Sequence, residues 1–266
     1  MELPPHHRLH LLESTDWKDA VITLLEPRSP YRPWRDWPDE GQKGDTVAFV
    51  LNTDPRSILA DVAHVDESGE LRRATFSRTL CNPNVVDFYT LMRVFGFGFG
   101  SLPYQFDGDD AVKVELSLDE CRYAGAPESR FGHNAMAEVR TLLRFSGRCD
   151  GCDLVIDLTS EEARDRLFVH TVDPQMRSVS PSLGYPDWPA VLCRVCRDRM
   201  TDEGHPTFVD YKFSLNPSCP QCRGRRASEI FYGMPSDYPN IPPWEQAGGC
   251  CVMSENWWCG ICFTRW

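Results

Sequence analysis

The stretch CDGCDLVIDLTSEEARDRLFVHTVDPQMRSVSPSLGYPDWPAVLCRVC, residues 149–196, opens and closes on a Cys-x-x-Cys pair. Two thiolates two residues apart can grip one side of a tetrahedral zinc, at Zn–S near ~2.3 Å, and a second pair completes the shell. Cys149, Cys152, Cys193 and Cys196 therefore predict one site, closed across a 40-residue insert. Downstream the pattern repeats: Cys219, Cys222, Cys259 and Cys262 predict a second, across 36 residues. Eight cysteines falling into four pairs of identical spacing point to two structural Zn2+ ions. The C-terminal half then reads as a largely loop-built polypeptide that takes its shape from metal.

The rest of the composition bounds the setting. At 266 residues the chain can form one large domain or two to three small ones, and 41% hydrophobic with 25% charged residues is ordinary for a globular protein. The opening MELPPHHRLHLLESTDW lacks a basic segment followed by an apolar core, so no secretory signal is read there. No apolar run approaches the roughly 20 residues that span a bilayer. A cytoplasmic, reduced protein without a membrane partner is expected, its cysteines holding metal rather than disulfides. No Cys-x-x-Cys sits between a strand and a helix of a βαβ unit, which disfavours thioredoxin-like chemistry.

Net charge is −11: residues 1–148 carry −6, residues 149–218 carry −5, and residues 219–266 are neutral. That balance weighs against strong non-specific binding to duplex, which draws on Lys and Arg neutralising phosphates. Arg223, Arg225 and Arg226 form one small basic patch, equally readable as a solvated loop.

Along the N-terminal half, residues 1–16 read as a frayed lead-in. AVITLLEPR from Ala20, TVAFVL from Thr46 and SILADVAHV from Ser57 read as strands, the middle one entered by the turn Gly44-Asp45. VVDFYTLMRVF, from Val85 to Phe95, has helical spacing, broken by GFGFGS. Ala111 to Leu116 alternates as a strand, and His133 to Phe145 is an amphipathic helix with Met136, Val139, Leu142 and Leu143 inward. The boundary between sheet-forming and metal-binding parts falls near residue 130.

The opening strand ending Glu26-Pro27, the Trp-bearing segment after it, GQKGDTVAFVL (Gly41 to Leu51) and ILADVAHV (Ile58 to Val65) resemble, over residues 18–125, the EVE domains of the PUA-like superfamily. The resemblance implies a small β-barrel that binds nucleic acid and receives a flipped base in an aromatic-lined pocket. A flipped base exposes both π-faces, and aromatic rings are its natural partner. Tyr31, Trp34 and Trp37, in a proline-stiffened loop, are the candidates; alternatively the tryptophans cap the barrel as core.

LFVHTVDP (Leu167 to Pro174) followed by DWPAVLCRVC (Asp187 to Cys196) resembles the HNH, or ββα-metal, nucleases over residues 145–205. Pro174 and Leu192-Cys193 fit that family. Its general-base position falls on Thr171, with His170 one residue before, and the histidine expected after the second pair is Arg197. Phosphodiester hydrolysis of this kind needs a base and a divalent ion. Threonine is no base near neutral pH and arginine cannot hold Mg2+. A one-residue shift would make His170 the catalytic base, with Asp173, Asp187 or His205 as ligands for Mg2+ or Mn2+. Otherwise His170 is a hydrogen-bonded residue in a treble clef that has lost its chemistry.

CPQC and WCGIC, with Tyr232 to Pro235, Gly248 to Cys250 and Trp266 between and after them, are similar to small C-terminal zinc ribbons of bacterial proteins, which implies a fold and no activity. Cys250, Cys251, Cys81 and Cys121 are left over by the pairing. Packing as small apolar residues is the simplest use for them; replacing a ligand or serving as a reactive thiol are the others.

The expected architecture is α+β: a PUA-like barrel over 18–130, an HNH-like treble-clef zinc domain over 131–217, and a zinc ribbon over 218–266. Three functions fit it. The chain reads modified nucleic acid, DNA by the resemblance; or it cuts it as a modification-dependent endonuclease; or its modules are protein-interaction surfaces.

Overall fold

No charge interrupts TVAFVL, and all six of its residues are buried, as in a strand covered on both faces. This strand, β2 (Thr46–Leu51), lies between β1 (Arg8–Glu13), parallel to it, and β3 (Ser57–Val65), antiparallel. β4 (Leu71–Arg73) and β5 (Val85–Asp87) each run antiparallel to β3, and β6 (Gln105–Asp107) runs antiparallel to β1. The path is β4-β3-β2-β1-β6, with β5 also on β3. The computed structural model describes residues 7–34, 42–67, 71–73, 85–94, 105–123, 131–173, 175, 187–233 and 241–266. They divide into two compact units. The first takes in Met1–Arg130, Asn134–Arg148 and Val155–Leu167; the second takes in Phe131–His133, Cys149–Leu154 and Phe168–Trp266.

In the first unit α1 (Trp17–Leu25) carries the chain from β1 to the parallel β2, a connection a hairpin cannot make. One face of the sheet, with Leu9, Leu11, Ala48, Val50 and Ile58, meets Phe88 and Leu91 of α2 (Phe88–Val94) and Ala111, Val114 and Leu118 of α3 (Gly108–Tyr123). α4 (Ala135–Leu143) and α5 (Ala163–Arg166) pack on α1.

Several expectations change here. The chain is α+β, but among the described residues the sheet is open, with β4 and β6 at its ends, and closes no barrel. A parallel central pair bridged by a helix, with helices on the core face, is a layered solution rather than a barrel. RLHLLE, expected in a frayed lead-in, is the central β1. AVITLL, Ala20 to Leu25, is helical: the Asp16 carboxylate accepts from Lys18 and Asp19 N–H, and Ala20 to Leu24 are all buried. A short apolar run buried all round looks the same as strand or helix. Residues 111–116 lie in α3, which buries Ala111, Val114 and Leu118 at helical spacing and leaves Leu116 61% exposed. Val85 to Val94 divides into β5 and α2, while the GFGFGS segment lies outside the described residues. TVAFVL and SILADVAHV are strands, and α4 falls inside the expected 133–145 helix.

In the second unit the elements are short. β7 (Leu167–His170) pairs with β8 (Ala190–Cys193), and α6 (Arg194–Asp202) follows β8 without a break. α7 (Phe208–Leu215) leads to a three-stranded sheet in which β9 (Ala227–Phe231) lies between β10 (Glu245–Ala247), parallel, and β11 (Trp257–Cys259), antiparallel. Among the described residues no helix is long and apolar enough to cross a membrane.

Candidate metal centres

Three of the four Cys-x-x-Cys pairs adopt one backbone form. In each, the first cysteine's N–H donates to the carbonyl five residues on: Leu154 at 2.8 Å, Gly224 at 2.9 Å and Thr264 at 2.8 Å. In each, the fourth residue after that cysteine returns its N–H to the cysteine carbonyl at 2.8 Å. That fourth residue is left-handed every time, with φ of 60° at Asp153, 58° at Arg223 and 62° at Phe263. None is glycine, so each of these knuckles holds a side chain in a region L-residues avoid. The remaining pair differs. Cys193 ends β8 and caps α6, so that Cys196 lies in the first turn of a helix whose N–H groups favour thiolate charge. The first centre thus joins a knuckle to a helix N-terminus, and the second joins two knuckles.

The sulfurs converge accordingly. Cys149, Cys152, Cys193 and Cys196 form one group and Cys219, Cys222, Cys259 and Cys262 another, with all four Sγ of each within 4.8 Å of one another. Cys152–Cys193 is 3.8 Å, Cys219–Cys262 is 3.5 Å and Cys222–Cys259 is 3.6 Å. Four sulfurs placed tetrahedrally at ~2.3 Å from an ion lie about 3.8 Å apart, so the groups fit a metal ion each. The eight predicted ligands are the eight that the fold brings together.

Each centre is braced by its surroundings. The Cys193 N–H donates to Cys149 Sγ at 3.2 Å, and Ile261 N–H to Cys259 Sγ at 3.4 Å. The Asp150 carboxylate accepts from Val191 N–H at 2.6 Å, tying the first knuckle to β8. Gly151 has no room for a side chain, since a Cβ there would lie 2.8 Å from Cys196 Sγ. From α7, Lys212 Nζ donates to the carbonyls of Asp150 at 2.6 Å and Gly151 at 3.2 Å, and the buried Tyr211 phenol hydrogen-bonds Cys196. Burial first, then the crowding of Cys152 and Cys149, push the Cys196 thiol well above its usual range. The Thr264 hydroxyl and backbone N–H hold the Cys262 thiol down at about 6. A bound cation favours all four thiolates at once.

α7 also reaches the second centre's sheet. Arg226, expected in an exposed basic patch, is buried: Nη2 donates to Asp210 at 2.6 Å and the guanidinium lies 4.6 Å from the Phe213 ring centroid. Asn216 Nδ2 donates to Ala227 O at 2.7 Å. By contrast, Arg223, Arg225 and Arg265 are exposed and meet no carboxylate among the described residues. Arg265 lies opposite Trp258, whose ring is 5.9 Å from that of Phe263, and Phe263 is 70% exposed. Glu229 and Glu245 pair with one another on the opposite face of the sheet, because Glu229 is one residue from Ser228, the partner of Trp258.

The nuclease-like residues are placed as follows. His170 Nε2 is 2.6 Å from Asp187 Oδ2, and Asp187 is 1% exposed. The other Asp187 oxygen accepts from Phe208 N–H at 2.8 Å and Trp188 N–H at 2.7 Å, so this carboxylate also anchors the start of α7. Thr171 shares a 2.8 Å hydrogen bond with His133, a residue sequence reasoning passed over. Arg197 lies 4.0 Å from the Phe168 ring centroid. His205 meets Glu203, and Asp173 accepts from Gln175 N–H. Among the described residues no third His, Cys, Asp or Glu joins His170 and Asp187 within ligating reach, and Pro174 lies outside them.

Of the predicted base-binding aromatics, Tyr31 uses its hydroxyl to donate to Glu161 O at 2.9 Å and to accept from Arg164 N–H at 2.9 Å. Trp34 packs its ring 4.9 Å from that of Phe49 on β2. Trp37 lies outside the described residues. No family model, no curated protein and no solved structure matches the chain.

Proposed function

We propose that the chain is a two-zinc nucleic-acid-binding protein, with DNA its ligand and the second centre's sheet its contact face. Four-thiolate shells with no open position suit structural zinc, which holds backbone and leaves chemistry to other groups. The observation that carries the reading is a trio of exposed guanidinium groups, Arg223 and Arg225 on one cysteine-bearing segment and Arg265 on the other, which also carries the exposed Phe263. In a chain of net charge −11, Arg8, Arg56, Arg164, Arg197, Arg199 and Arg226 each meet a carboxylate, whereas these three do not among the described residues. Guanidinium groups for phosphate and an exposed ring for a base face are the components of a single-strand contact.

The test is binding of labelled single-stranded and duplex DNA at several salt concentrations. Arg223→Ala/Arg225→Ala/Arg265→Ala should weaken binding and flatten the salt slope by about 2 for a single strand. Phe263→Ala should cost about 1–3 kcal/mol of base stacking. Unchanged affinity in both variants would remove this face from the account. Elemental analysis should give two zinc ions per chain, falling to one in Cys149→Ser or Cys219→Ser.

A second reading, an HNH-type endonuclease, draws on one observation, the ββα order of β7, β8 and α6 with His170 held by the buried Asp187. It requires nicking of modified DNA with Mg2+ or Mn2+ that His170→Ala abolishes. Absence of nicking by metal-loaded protein leaves His170 as a hydrogen-bonded partner of the α7 anchor.

A further inference from the structure

Among the described residues three cysteines, Cys121, Cys250 and Cys251, belong to neither centre, and the last two are neighbours in the chain and both exposed. They follow β10, at the end of β9 remote from the second centre. Ala247 pairs with Phe231 there, whereas the ligand Cys259 pairs with Ala227 at the other end. The segment is fixed on both sides. Gly248 N–H donates to Phe231 O at 2.8 Å, Gly233 N–H donates to Gly249 O at 3.0 Å, and the Tyr232 hydroxyl donates to Glu255 O at 2.9 Å. Between these anchors Cys250, Cys251, Val252 and Met253 all face solvent, Val252 at 79% exposure and Met253 at 55%. Neither thiol nor the thioether has a side-chain partner among the described residues.

An anchored, outward-facing run of two thiols and a thioether narrows the chemistry. Neighbouring Cα atoms are ~3.8 Å apart, short of the roughly 4.4–6.8 Å that an ordinary disulfide spans. Oxidation to a mutual disulfide is therefore disfavoured, and the pair stays available as two thiols. Thiolate with thioether is a soft donor set of the kind that selects Cu(I). Zinc draws instead on Cys, His and carboxylate, and GGCCVMS, residues 248–254, offers neither of the last two.

We propose that Cys250, Cys251 and Met253 form a third metal site, on the surface, for one monovalent soft ion, Cu(I). Each thiol releases its proton as its Cu–S bond forms, and the Met253 sulfur donates a lone pair as the third ligand. No electron is transferred. The site is independent of the nucleic-acid reading.

The test uses the full chain with both four-cysteine centres loaded, titrated anaerobically with Cu(I) against a competing Cu(I) chelator while released zinc is followed. The native chain should retain one Cu(I) before any zinc is released. Cys250→Ser/Cys251→Ser should lose that ion with its zinc count intact, its Cu(I) affinity falling by more than about 100-fold, and Met253→Leu should weaken it by about tenfold. The proposal is overturned if the double-serine variant holds Cu(I) as tightly as the native chain, or if copper enters only as zinc leaves. Equal affinity in Met253→Leu would remove the three-donor site.

Discussion

Leu118 and Asp210 are both buried helical residues, and they show how differently the two units are held. Leu118 meets a sheet whose β3 runs nine residues, in a layer of side chains drawn from strands and two helices. Asp210 sits where no described strand exceeds five residues, and its partners are Thr207 and Arg226 rather than hydrocarbon. Long elements can bury enough apolar surface to hold themselves; strands of three to five residues cannot. The second unit replaces area with point constraints: two four-sulfur centres, a buried ion pair, and α7 bonded to the first knuckle through Lys212 and to β9 through its C-cap Asn216.

That contrast can be broken at single residues. Asp210→Ala strands the Arg226 charge in a buried site, and losing one partner of such a pair costs about 3–5 kcal/mol. The loss should appear in denaturant melts as early unfolding of the second unit, with the first unaffected. Leu118→Ala should cost about 2–5 kcal/mol through a cavity in the first unit, with the metal count unchanged. Arg223→Gly should give the smallest effect and the opposite sign. Glycine accepts the left-handed backbone that arginine resists, a gain of up to about 1 kcal/mol read as a higher melting temperature. The same variant should bind DNA less well, which separates the knuckle's backbone role from its side-chain role.

The eight cysteines of the two four-sulfur groups were legible because thiolate spacing is itself the chemistry. TVAFVL and SILADVAHV were legible because each is a short run rich in β-branched and apolar residues, buried along all or most of its length. Asp16 to Leu25 was not, since a buried nine-residue helix presents no polar stripe to reveal its period. Ala111 to Leu116 misled because a two-residue alternation and a helical spacing coincide there, and only burial of Leu118 decides between them. No local signal marks Tyr211 or Lys212, whose partners lie 15 and 62 residues away. The left-handed residues of the knuckles were hidden for another reason: none of the three is the glycine that normally advertises such a turn.

The most direct test of the central claim is amide hydrogen exchange on the metal-loaded chain before and after a strong chelator. Removal of metal should abolish protection in β8, α6, α7, β9 and β11 together, while β1, β2 and β3 keep theirs. Protection in α6 and β9 that survives complete metal removal would contradict it, because the second unit would then hold its shape without the centres said to define it.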